Sequence, residues 1–385
     1  MKARHAVVAL AAASVLAGCA GGAPASPAAP RTPGKAPSSP APASPAPSSA
    51  SSKPSAAATP HGTLLVADFG ADTVTFVDPA PGHDRHTLGS VEVGTAPYGL
   101  VVDDGGIAWV STAEGVAVVD TATRTRLTRI PYETRTGPVT TGEYRGGGMG
   151  IALAPDGRHV HVGVNVPGRN GVLEIVDTAT REVTGTVPVG RRPFDVDVSP
   201  DGTEVYATGH DSFDVTAVDT ADRTTRRFEV APYGTEGGLG SWLKPHCAVV
   251  RPDGRLLLPF EGERLVVLDP RTGRSTVEPM TADTHQHGAT LAPDGTLLVV
   301  GTGPVLSDDR GPSLTVRTPA GSERVVPLDG PHEDVTVSDD GRTAYVTEGF
   351  TRDGYRNGIT VVDLSGRKRP FEVVAGARPL GIAIL

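Results

Sequence analysis

Three histidines, His246, His287 and His332, occupy the same point in three consecutive copies of an internal repeat, each just ahead of a short apolar run. Neutral imidazole is the commonest side-chain ligand for zinc and also suits copper, and a set of three leaves one coordination position for water or a substrate. Equivalent residues of repeats arranged around an axis converge, so the three are expected to hold a divalent transition metal, Zn²⁺ or Cu²⁺. His285, shortly before His287, and Glu333, beside His332, are the additional ligands this spacing offers. Counting back from the turn that follows puts Glu333 rather than His332 at the inward point, so either residue can fill it. The other four copies carry Tyr98, Met149, Phe194 and Leu380 there, which makes the set imidazole on one side and apolar on the other. The competing reading is that the histidines are solvated lining of a channel.

Loops expected at the same mouth add Glu261 and Glu348, which with Tyr98, Met149, Phe194 and Leu380 form a candidate ligand-binding lining. Other polar residues of these loops, among them Asp68, Asp72, His210, Asp211 and Arg356, read individually as solvated surface. The long segments 132–148 and 233–244, the second containing Trp242, read as a rim over the mouth. Cys247 follows His246, and strand alternation turns it to the opposite face as a small core residue. No CxxCH pattern, phosphate-binding glycine loop or GxSxG elbow is present, so no haem, nicotinamide or nucleotide is expected. No catalytic residue is assigned.

The elements that must position these residues follow from the repeat itself. Pro-Asp-Gly recurs at 155–157, 200–202, 252–254 and 293–295, with relaxed copies at 103–105 and 339–341. Each supplies a preset φ and a glycine for a tight turn between strands. Apolar runs end in Asp78, Asp120, Asp177, Asp219, Asp269 and Asp363, with Arg317 in the remaining copy, at a period of about 47 residues, close to one four-stranded propeller blade. Abundant Gly and Pro and only 4% aromatic residues agree with many short strands and tight turns. The class is therefore all-β: a seven-bladed β-propeller of four-stranded antiparallel blades over residues 61–385. Residues 60–66 mimic 293–299, so the chain enters at the second strand of a blade. The last strand, near Pro379–Ile384, should complete that first blade and close the ring.

The stretches Val196–Tyr206 (VDVSPDGTEVY), Leu173–Thr180 (LEIVDTAT) and Val187-Pro188-Val189-Gly190 resemble the YVTN-repeat, YncE-like, propeller family. The resemblance covers about residue 61 to the end and implies the fold; its members include surface proteins, binding scaffolds and relatives of enzymes. In blade count and site location the chain is also similar to propeller lactonases and streptogramin-type lyases. That likeness implies a metal-assisted enzyme as the alternative function, with the metal acting on a carbonyl and a histidine moving a proton.

Upstream, Lys2, Arg4 and His5 precede an apolar segment, Ala6–Leu16, too short to span a bilayer, and Leu16-Ala17-Gly18-Cys19 matches a lipobox. Residues 1–18 read as a lipoprotein signal peptide. Residues 19–60, rich in Ala, Pro and Ser, read as a lipidated Cys19 with a polyproline-like tether. These features place the protein outside the cytoplasm, on the outer face of the bacterial cell membrane through Cys19. The expected protein is a monomer that binds an unidentified protein or small molecule. A formal net charge of -9, with no basic run counted outside the extreme N-terminus, argues against nucleic acid as a partner.

Overall fold

The computed structural model describes residues 62–82, 86–230, 244–260, 264–282, 286–302, 311–350 and 355–385. Cys19, the signal peptide and the tether lie outside these residues, as do Glu261, His285 and Trp242.

The recurring acids shape the turns. Asp120 Oδ1 accepts hydrogen bonds from Ala122 N and Thr123 N, and Asp177 Oδ1 does the same for Ala179 N and Thr180 N. Such caps close the turn between the third and fourth strands of a blade. In the Pro-Asp-Gly turns the glycines carry the positive φ, +69° at Gly157 and +72° at Gly202. Arg317 breaks the acidic series without breaking the turn, because it pairs with Glu278 and Glu323 at 2.6 and 2.5 Å.

These turns link seven four-stranded antiparallel sheets. The innermost strands, in blade order 1 to 7, are Pro379–Ile384, Leu100–Val102, Gly147–Leu153, Pro193–Val198, Val249–Val250, Gln286–Leu291 and Val335–Val337. The second strand of blade 1 is Leu64–Asp68, and it pairs with the C-terminal strand, Leu64 opposite Ile384. Gly62 N donates to Leu385 O at 2.7 Å, so the two ends of the described chain close one blade together. All seven blades are complete within residues 62–385.

Seven apolar clusters fill the seams between adjacent blades. In Leu64–Asp68 every residue is buried, because Leu64 and Val66 face blade 7 while Leu65 and Ala67 face blade 2. A strand covered on both faces needs a continuous apolar run rather than alternation.

Candidate functional site at the channel mouth

The innermost strands are interrupted by bulges in blades 1, 3, 4 and 6. A bulge re-aims the side chains next to it. In the bulged blades 4 and 6, as in others, two consecutive residues of the blade line a cavity of about 150 Å³ on the ring axis. The upper row is Tyr98, Phe194, His246, His287, Glu333 and Leu380. The lower row is Gly99, Gly150, Asp195, Cys247, Gly288, Asp334 and Gly381, one residue from every blade. Glycine is required where neighbouring strands nearly touch: a Cβ on Gly150 would lie 2.5 Å from Asp195 Cα, and one on Gly288 2.6 Å from Asp334 Cα.

Several expectations need correction against this geometry. Glu333, not His332, holds the mouth position of blade 7. The His332 ring is fully buried inside that blade, with Nδ1 2.6 Å from Gly330 O and Nε2 2.7 Å from Thr360 Oγ1. Glu348 turns the same way: it accepts from Thr360 Oγ1 at 2.7 Å and Arg356 Nε at 2.8 Å, and lies 3.6 Å from His332 Nε2. Burial opposes its charge, but the hydrogen bonds from His332, Arg356 and Thr360 hold its carboxyl down at about 2. Met149 is buried behind the lining, its carbonyl accepting from Ser111 Oγ at 2.6 Å. Cys247 faces the cavity instead of the opposite face, and its thiol donates to His287 O at 2.5 Å. Burial, with Asp195 and Asp334 nearby, raises that thiol well above its usual range.

The third imidazole at the mouth is His210, on the loop after the second strand of blade 4. Its ring meets Phe194 and His246 edge-on at 4.6 Å each, and His246 in turn stacks on His287 at 4.2 Å. Carboxylates hold both ends of this row. His210 Nδ1 is 2.8 Å from Asp211 Oδ1, and His287 Nδ1 is 3.1 Å from Glu333 Oε1. Arg192 and Lys244 secure Asp211 at 3.0 and 3.1 Å. Burial opposes the charge on Asp211, but His210 and these two cations keep its carboxyl well below the ordinary range. Burial also pushes His210 down to about 4, so the ring is neutral near pH 7. A neutral imidazole with one nitrogen fixed by a carboxylate presents the other in a set orientation.

Tyr98 stacks on Phe194 at 5.8 Å, and Phe194 on His246 at 5.6 Å, which extends the row into the apolar side. Leu380 packs with Phe69, Ala96 and Tyr98 at that end. The insertion 132–148 reaches the mouth through Tyr144, whose ring lies 6.2 Å from Phe194 and carries the Arg192 guanidinium at 3.9 Å. Buried Arg145 fixes the base of this insertion by donating to the carbonyls of Ala96, Gly146 and Gly148.

Below the rings the cavity is acidic. Burial raises Asp334 to about 7, with help from Asp195 and Glu333, and also raises Asp195 and Asp197. Among the described residues lining the cavity there is no basic side chain other than histidine. Among the described residues, too, no three His, Cys, Asp or Glu side chains are gathered as a metal site. Of the predicted set, His246 and His287 meet at the mouth, whereas His332 is enclosed in its own blade.

The missed residues did leave a trace. Where four repeats read Gly after the mouth residue, three read Asp195, Cys247 and Asp334. The count back from the turn at 339–341 had already pointed to Glu333 over His332. His210 belongs to a connecting loop and has no counterpart in such an alignment.

The chain matches no protein-family model and no curated protein sequence. Solved propellers resemble it. A functionally unknown protein from Desulfotomaculum acetoxidans aligns with a TM-score of 0.60 at 12% identity, over 84% of this chain and 98% of that one. A candidate 6-phosphogluconolactonase from Bacteroides uniformis gives 0.59 at 15% identity, over 84% and 99%. A catalytically inactive virginiamycin B lyase from Staphylococcus aureus, crystallised with quinupristin, gives 0.56 at 16% identity, over 75% and 91%. At these identities the likeness establishes the propeller fold, and activity has to be argued from the site.

Proposed function

We propose that the chain is a YVTN-repeat propeller, carried outside the cytoplasm as a monomeric lipoprotein through Cys19, that binds a small ligand or a protein partner at the channel mouth without turnover. The repeat motifs and the lipobox residues support the first part. The binding reading rests on one observation: three imidazoles from blades 4, 5 and 6, the outer two oriented by Asp211 and Glu333, stand over a polar cavity. A cavity near 150 Å³ suits a molecule of about benzene's size. Imidazole and carboxyl groups line its walls, so a polar ligand that hydrogen-bonds to them fits it best. Binding of this kind does not require a metal.

Mass spectrometry of small molecules released from purified protein tests this reading. The expected result is a species retained near one per chain by the wild type and absent from a His246→Ala/His287→Ala variant. Identical profiles would overturn it. So would an empty wild-type profile together with no melting shift from a panel of small amines and alcohols.

The second reading is a lactonase- or lyase-type enzyme. It is favoured by the His287–Glu333 pair, since a carboxylate-oriented imidazole is how a general base is commonly held. Turnover of a lactone or ester that disappears in His287→Ala would replace the binding reading with this one.

A further inference from the structure

On the face opposite the mouth, turns of blade 7 and blade 1 border a groove of about 640 Å³. Arg342, Arg367, Lys368 and Arg369 line it, together with Tyr345 and Phe371. The run Arg367-Lys368-Arg369 corrects the expectation that no basic run lies outside the N-terminus. All four cations are exposed, and among the described residues none lies within ion-pair distance of a carboxylate. Some arginines elsewhere on this face are paired: Arg251 with Asp253 at 3.1 Å, Arg271 with Asp269 at 3.6 Å and Arg226 with Glu204.

Three carboxylates share the groove, Asp78, Asp340 and Asp363, but each is turned toward local donors. Asp363 accepts from Ser365 N, Ser365 Oγ and Lys368 N. Asp340 accepts from Ser338 Oγ and Arg342 N, and Asp78 from Ala80 N. These bonds fold the turns while the basic side chains project outward. Beside them, Phe371 is 37% exposed at the start of the outermost strand of blade 7. Gly62, where the described chain begins, lines the same groove.

We propose that this groove docks on a bilayer surface bearing anionic phospholipid headgroups. Unpaired cations attract lipid phosphates, and the adjoining aromatic side chains of Tyr345 and Phe371 suit the interfacial zone, which a soluble phosphate would not use. Because Gly62 lines this groove, an acyl anchor at Cys19, as proposed above, and the basic face would act on one membrane, each strengthening the other. The mouth then opens on the side away from the lipid. The inference stands on the groove and not on the ligand reading, so either can fail alone.

Co-sedimentation of residues 62–385 with vesicles tests it. Binding is expected to mixed phosphatidylglycerol–phosphatidylcholine vesicles, weakly or not at all to pure phosphatidylcholine, and to be lost in high salt. Replacing Arg367, Lys368 and Arg369 by Gln should weaken binding about a hundredfold, from roughly fivefold per charge. The melting temperature should stay unchanged because these side chains are exposed. Should that variant melt early, Arg342→Gln with Phe371→Ser serves the same comparison. No binding to anionic vesicles, equal binding to neutral ones, or unchanged binding by the folded variants would overturn the proposal. So would binding of glycerol phosphate or an oligonucleotide without vesicle binding.

Discussion

Asp334 shows how one residue can both mark a site and burden the fold. Most blades place glycine where it stands, and it puts a carboxyl into a buried ring beside Glu333 and Asp195. With its pKa raised to about 7, its neutral form is favoured by folding. The folded state then holds a proton that the unfolded chain releases near 4, so this group's contribution to stability is full at low pH and is lost as pH rises through 7. Calorimetric melting of Asp334→Asn between pH 5 and 8 should show a shallower decline than the wild type. An unchanged slope would mean that the carboxyl is already ionised in the folded protein. At this scale the sequence was partly legible. His246, His287, Glu333, Phe194, Tyr98 and Leu380 were identified, and the structure brings them to one cavity. His332 and Glu348 instead pair inside blade 7, because a one-residue shift of register turns a side chain to the other face.

At the scale of strands and loops, the inner strands are close-packed to the point of excluding a methyl group. Gly150→Ala would drive a Cβ against the backbone of Asp195 and Val196, within 2.6 Å. Backbone cannot move aside as a side chain can, so the substitution should cost about 3 kcal/mol, read from the urea midpoint. A loss below about 1 kcal/mol would mean that the innermost strands of blades 3 and 4 can separate. Turns were the most legible elements, since an Asp followed by backbone donors and a glycine at positive φ is a local arrangement. Bulges were not legible; in blade 4 one falls between Pro193 and Asp195, where Phe194 and Asp195 both line the cavity. Such bulges arise from how strands meet a neighbouring blade, not from local propensity.

For the molecule as a whole, stability depends on closing the ring. The C-terminal strand covers Leu64–Asp68, a fully buried strand whose backbone would otherwise be an open edge. Deleting residues 379–385 should abolish cooperative unfolding in differential scanning calorimetry, because it removes the inner strand of blade 1 and one side of two seams. Joining Leu385 to Gly62 and opening the exposed turn at Gly321–Ser322 should instead melt within a few degrees of the wild type, since the two ends of the described propeller already touch. Cooperative melting of the truncated chain would show that six closed blades suffice.

The number of blades, their four-stranded form, the phase of the repeat and the closing strand were all determined by the sequence alone. Each follows from patterns that repeat in every unit, such as the turn acids, the glycines and the apolar runs buried on two sides. Only the tertiary structure decided which residues meet at the axis. Convergence there joins side chains from different blades, and it depends on bulges and loop paths set by neighbouring sheets. That is why His210, from a loop, joined His246 and His287, while His332, aligned with them in the sequence, was folded away.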